Sequence, residues 1–153
     1  MKYLTLLLLL LSSQTLLANQ CVDLMEKEDF YKASEVCQTM ANKGEKNAQF
    51  SLAVLYYQGS GMMSDMGQAN KWMRKAALQN HNQAQYNLGI MIANGQGSNV
   101  DLVEAYAWLK ISADNGYSPA KDSVRQLGEE LSSGEKKQAD EMIKSLKKKL
   151  KIK

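Results

Sequence analysis

Residues 48–77 read AQFSLAVLYYQGSGMMSDMGQANKWMRKAA, and residues 84–113 read AQYNLGIMIANGQGSNVDLVEAYAWLKISA. A shift of 36 residues lays the first stretch on the second without a gap. Nine positions are then identical: Ala48/Ala84, Gln49/Gln85, Leu52/Leu88, Gly59/Gly95, Gly61/Gly97, Asp65/Asp101, Ala69/Ala105, Trp72/Trp108 and Ala77/Ala113. Phe50/Tyr86, Ala53/Gly89, Val54/Ile90 and Met73/Leu109 match in kind. Self-similarity at one period, in the range of roughly 20–50 residues, marks a repeat architecture.

Each unit reads as a pair of helices. Ala48, Leu52 and Leu55-Tyr56 recur at helical spacing, as do Ala84, Leu88 and Met91-Ile92. Gly59 and Gly61, with Gly95 and Gly97, stop the first helix and permit left-handed backbone. Asp65 with Gln68, and Asp101 with Glu104, have the spacing of a capping box that opens the second helix. Ala69, Trp72, Ala76 and Ala77 share one face, as do Ala105, Trp108 and Ala113. Small residues let the helices approach, and the indole fills the space between units. Asn80 and Gly116 end the second helices as left-handed caps. Asn94-Gly95 and Asn115-Gly116 resemble hairpin turns, but the helical period on both sides makes them helix stops.

The pattern Ala-x-x-x-Leu-Gly-x-x-Tyr-x-x-Gly-x-Gly, followed by Asp, Ala, Trp and Lys-Ala-Ala, resembles the Sel-one-like repeat, a relative of the tetratricopeptide repeat. The first copy carries Lys75-Ala76-Ala77 at the last motif, and the second has Ile111-Ser112-Ala113 there. Ala53 stands for the family's small Gly, which Gly89 restores in the second copy. The resemblance implies an all-α fold, an α/α superhelical solenoid of helix-turn-helix repeats. The expected division is a signal peptide over 1–18, an N-terminal capping half-repeat over 19–47, repeats over 48–83 and 84–119, and a partial repeat with a basic capping helix over 120–153. The caps are needed because an open solenoid end exposes core. Ala139, Met142, Ile143, Leu146 and Leu150 form the apolar face of the last helix.

The expected signal peptide rests on Lys2, the apolar run Leu4 to Leu11, and Ala18 as the small residue before cleavage. That run is too short to span a bilayer, which takes roughly 20 residues. Asn19 and Gln20 before Cys21 do not fit lipidation, which needs small residues there. Export to a periplasm or beyond the cell places Cys21 and Cys37 in an oxidising compartment. A helical hairpin turning near Asp29, which caps the second helix, brings these two cysteines together as a structural disulfide.

The full chain of 153 residues carries 19 Lys+Arg, 16 Asp+Glu, one His and one Pro, for a net charge of +3. That average hides two unlike parts. Residues 19–131 hold 10 bases and 13 acids, whereas 132–153 hold eight Lys and three acids. A near-balanced body argues against a polybasic nucleic-acid binder. The Lys-rich tail suits at most weak contact with an anionic surface.

Little in the sequence supports catalysis, a metal or a cofactor. His81 lies in the turn between repeats and reads as a solvated turn residue, with no nucleophile triad to join. Ser118-x-x-Lys121 matches a penicillin-recognising motif, but Ser133-x-x-Lys136 and Ser145-x-x-Lys148 match as well. Met62, Met63 and Met66 cluster in one loop, a weak basis for Cu(I). The expectation is therefore a non-enzymatic protein with no cofactor and no metal.

By analogy with tetratricopeptide repeats, the first helices line a concave face. The residues expected there are Asn47, Phe50, Val54 and Tyr57, then Gln83, Tyr86, Ile90 and Asn94, then Asp122 and Gln126 with Glu129. Such a mixture suits a protein or peptide partner with apolar anchors. Phe50 and Tyr86 read equally well as packing between adjacent first helices. The resemblance implies roles in envelope assembly, virulence or toxin immunity; the alternative is an envelope ligand-binding or hydrolytic protein acting on peptidoglycan or β-lactams.

Overall fold

The computed structural model describes residues 20–151. The expected leader, with its cleavage point, and Lys153 lie outside them. The described residues form helices joined by short turns. A helical segment over 20–26 (α1) precedes α2 (Phe30–Asn42), α3 (Lys46–Gln58), α4 (Met66–Ala77), α5 (Asn82–Ala93), α6 (Leu102–Asp114), α7 (Ala120–Glu130) and α8 (Ser133–Leu150). Each of α2 to α6 packs against the next, and α6 carries both α7 and α8. The architecture is an all-α solenoid of stacked helix pairs.

The caps show why the helices start where they do. Asp29, Asp65 and Asp101 accept hydrogen bonds from the backbone N–H of Lys32, Gln68 and Glu104 respectively. This satisfies one of the amides left unpaired at each helix start. The expected reciprocal half of the box is missing at Asp65 and Asp101, where only the forward bond forms. For Glu104 the reason is visible: its carboxylate is engaged by Arg74 of α4 and by the Trp108 indole. The full capping box forms at Ser132 and Glu135, opening α8. Asn80 takes the left-handed conformation at φ 61°, as its equivalents Gly44 and Gly116 do at φ 95° and 86°.

The repeats interlock through a glycine. A Cβ on Gly97 would lie 1.9 Å from the Met66 carbonyl oxygen, and one on Gly61 would lie 2.1 Å from that of Phe30. The loop after each first helix thus rests on the start of the preceding second helix, where no side chain fits.

The core runs through the stack. Ala33, Ala48, Ala69, Ala76, Ala84 and Ala105 are fully buried beside Leu52, Leu55, Leu88, Trp72 and Trp108. The Trp108 indole donates to Glu104 at 3.1 Å. Trp72 has no such acceptor for its buried N–H, but Lys75 Nζ sits 3.7 Å from its ring centroid. At the N-terminal end a Cys21–Cys37 disulfide ties α1 to α2, with Cα atoms 5.0 Å apart. At the other end α8 buries Ala139 and Ile143, and Ile143 forms a satellite core with Ala107 and Ile111 of α6. Asp114 of α6 pairs with Lys110 and, at 2.7 Å, with Lys147 of α8, which fastens the cap. No helix among the described residues is long and apolar enough to cross a membrane.

Candidate functional site

The first helices α3 and α5 run side by side, and the seam between them carries two depressions. The larger is a polar recess of about 370 Å³ where both helices begin. Lys46 and Asn47 of α3 line it with Asn82 and Gln83 of α5, and His81, Asn80 and Asn115 complete it. The other is a groove of about 260 Å³ near the helix ends. Val54, Ile90, Met73 and Met91 form its apolar part, with Tyr57 and Tyr86 beside them. Its rim is amide: Gln58, Asn87 and Gln96. Gln96 Nε2 donates to the Tyr57 hydroxyl at 3.2 Å, which fixes a phenol left 40% exposed.

The residues expected on this face divide four ways. Val54, Tyr57, Tyr86 and Ile90 meet in the groove, and Asn47 and Gln83 meet in the recess. Phe50 lies between, half-buried, stacked on His81 at 4.6 Å between ring centroids. Asn94, Asp122, Gln126 and Glu129 are exposed and line neither depression. Tyr86 leans on Tyr117 at 5.3 Å, the same relation one repeat along as Phe50 on His81. Both rings therefore have a packing role against the turn that follows, and Tyr86 also faces the groove.

His81 is more than a solvated turn residue. It caps α5, its Nδ1 accepting from the Ala84 N–H at 3.2 Å, and Phe50 covers one ring face. Burial pushes its pKa below the ordinary histidine value, the Lys46 charge adds to this, and a backbone hydrogen bond opposes both. Glu104 and Asp114 also sit below the usual carboxylate values. Burial raises each, but hydrogen bonds and charge from Arg74 for Glu104, and from Lys110 and Lys147 for Asp114, outweigh it.

Sequence reasoning left out an amide ladder behind the recess. Gln85 is fully buried; its Nε2 donates to Ala77 O and Asn80 Oδ1, and its Oε1 accepts from Asn115 Nδ2. Gln49, one repeat earlier, donates to Ala41 O and accepts from Gln79 Nε2. A buried amide needs such partners. The identity Gln49/Gln85 across the repeats was the signal. Gln58, Asn87 and Met91, beside the expected stripe on the first helices, were also not anticipated in the groove, nor were Met73 of α4 and Gln96 of the loop after α5, which lie off that stripe.

The other candidates are dispersed. Met63 is 89% exposed while Met62 packs against the core, so the methionine loop turns its thioethers apart. Ser118 and Lys121 are both exposed at the start of α7. Among the described residues no three His, Cys, Asp or Glu side chains converge on a metal-sized site.

Comparison with known proteins agrees with this architecture. The Sel1 repeat model matches residues 46–81 and 82–117, each beginning at the first residue of a first helix. No curated protein matches the sequence. The crystal structure of c5321, a protective antigen present in uropathogenic Escherichia coli strains and displaying an SLR fold, is 32% identical with a TM-score of 0.85. That match covers 90% of this chain and 30% of c5321. A Sel1 repeat protein from Oxalobacter formigenes is 33% identical with a TM-score of 0.60, covering 61% of this chain and 39% of its own. The chain thus spans about a third of the length of these two relatives. Sel1 repeats generally mediate protein–protein interaction. With two matched repeats and the fold of its solved relatives, this chain is a member of the Sel1-repeat proteins.

Proposed function

We propose that this chain is an exported interaction adaptor that seats a segment of a partner protein on the seam between α3 and α5. The groove carries the proposal: apolar side chains from three helices surround a space with an uncharged amide rim. Apolar anchors enclosed by polar rims are where binding energy concentrates in protein interfaces. Export is supported by the leader pattern in residues 1–18 and by the Cys21–Cys37 bridge, which fits an oxidising compartment. That the similar protein c5321 is a protective antigen also fits a chain that acts outside the cytoplasm. Envelope assembly, virulence and toxin immunity are the settings in which such an adaptor would serve. On α8 and at its C-cap, Lys144, Lys148, Lys149 and Lys151 are exposed for weak contact with an anionic surface, while the helix's apolar side is occupied by α6.

Affinity capture from the native envelope after mild crosslinking tests the reading. A discrete partner should be recovered with the native chain and fall about tenfold with Tyr57→Ala, a loss of the size expected of an aromatic anchor. Recovery of no partner, or equal recovery with Tyr57→Ala, contradicts it.

A further inference from the structure

Tyr57 is the exposed end of a relay that begins inside the protein. Asn70 of α4 is 5% exposed and sits one turn before Met73 of the groove. Its Nδ2 donates to the main-chain oxygen of Gln96 at 3.3 Å and to Ser98 Oγ at 3.4 Å. A buried amide is costly unless it is paired, and these two bonds pair it. They also hold the loop between α5 and α6. From that loop the Gln96 side chain donates to the Tyr57 hydroxyl at 3.2 Å. Three elements that line the groove are thereby linked: α4, the loop after α5, and α3.

The relay occurs once. A shift of 36 residues towards the N-terminus finds Ser34, Ser60 and Cys21 in place of Asn70, Gln96 and Tyr57. The same shift towards the C-terminus finds Tyr106, Ser132 and Ala93. Ser34 Oγ turns back to Tyr31 O at 2.7 Å, within its own helix, and Cys21 is taken by the disulfide. Yet the loop after α3 still rests on the start of α2 through Gly61, as the loop after α5 rests on α4 through Gly97. Loop stacking is thus a property of the glycine contact that both repeats share, and it does not need the amide. What Asn70 adds is particular to Gln96 and Tyr57. Ordering free side chains on binding costs affinity, and the relay orders these two beforehand.

We infer that Asn70 is a positioning residue for the partner: without lining the groove, it sets Gln96 and, through Gln96, Tyr57, so that this rim of the groove is formed before the partner arrives. This rests on the adaptor reading and assigns the preorganisation of the groove to one buried side chain.

Three variants separate that role from a general one. Asn70→Ser installs the residue that α2 carries at the equivalent site, where the hydroxyl is satisfied locally. Gln96→Met keeps the main-chain oxygen that Asn70 holds and removes the side-chain bond to Tyr57. Ser34→Ala is the control, a buried hydrogen-bonding side chain outside the relay. Far-UV circular dichroism checks that each folds. The first readout needs no partner. In the purified, disulfide-bonded chain labelled with fluorotyrosine, the fluorine resonance of Tyr57 is identified by its loss in Tyr57→Phe. Asn70→Ser and Gln96→Met should both move it towards its position in urea, and Ser34→Ala should leave it in place. The second readout is capture from the native envelope after mild crosslinking. Asn70→Ser and Gln96→Met should each lower recovery of the partner about threefold to tenfold, the cost of ordering a side chain on binding. Ser34→Ala should leave recovery unchanged. In a Tyr57→Phe background both losses should shrink, because the bond they act through is already gone, whereas general destabilisation would leave them the same size. An unmoved Tyr57 resonance in Asn70→Ser overturns the inference, as does recovery equal to that of the native chain, or losses of the same size in both backgrounds. In each of those cases the native chain still recovers its partner and the adaptor reading stands. Recovery of no partner by the native chain removes both.

Discussion

Gln85→Leu asks how much the amide ladder contributes to holding successive repeats together. Gln85 is 0% exposed and makes three hydrogen bonds, at 3.2 Å to Ala77 O, 3.1 Å to Asn80 Oδ1 and 2.9 Å from Asn115 Nδ2. At a net value of about 1 kcal/mol each, their loss costs about 3 kcal/mol. Two circumstances reduce that. Ala77 O keeps its bond from the Asn80 N–H, and leucine is the more apolar side chain to bury. The gain in apolar burial offsets about 1 kcal/mol, leaving about 2 kcal/mol. Gln49 makes two such bonds, so Gln49→Leu should cost about 1 kcal/mol by the same reasoning. Exposed Gln83→Leu should stay within about 0.5 kcal/mol. Urea unfolding followed by the fluorescence of buried Trp72 and Trp108 reads all three in one experiment. The order Gln85, Gln49, Gln83 is the prediction. A Gln85→Leu midpoint indistinguishable from that of Gln83→Leu would refute the reasoning.

Three further outcomes follow from single features of the fold. Gly97→Ala and Gly116→Ala share a left-handed penalty of about 1 kcal/mol, but only Gly97, at φ 75°, would bring a Cβ within 1.9 Å of a neighbouring carbonyl oxygen. Gly97→Ala should therefore destabilise clearly more in the same urea assay, and equal midpoints would remove the interlock. His81 is held neutral in the fold, so its contribution is complete above the unfolded value of 6.5 and falls as pH drops from there towards its lower folded pKa. His81→Asn keeps a capping side chain and should flatten melting temperature against pH below about 6.5; an unchanged slope would assign that dependence elsewhere. Reducing Cys21–Cys37, separated by 16 residues, should cost about 3 kcal/mol in the loop-entropy model. Calorimetry with and without reductant measures this, and no shift in the transition would mean that the bridge constrains nothing.

Most of the fold was legible because its determinants are local and repeated. Each aspartate cap, glycine stop and alanine–tryptophan face lies within one turn or one helix of the residues it acts on, and the 36-residue period states each of them twice. What stayed hidden depends on neighbours about 30 residues away. The stacking of His81 on Phe50 comes from the next repeat's turn, so the histidine read as solvated. Glu104 looked like a capping-box partner until Arg74, 30 residues earlier, was seen to engage it. The candidate site was legible as a stripe but not as two depressions, because a recess is made by the gap between α3 and α5 and not by either helix. Asp122 and Gln126 occupy the positions equivalent to Tyr86 and Ile90, and with polar side chains there the groove is confined to the α3–α5 junction.

The central claim is that a partner protein lies against the groove of the first helices. Its most direct measurement is photocrosslinking in the producing cell, with a benzophenone amino acid in place of Tyr57 on α3 or of Lys71, exposed on the second helix α4. The account predicts a discrete crosslinked protein from Tyr57 and none from Lys71. The same crosslinks from both positions, or none from Tyr57, would contradict it.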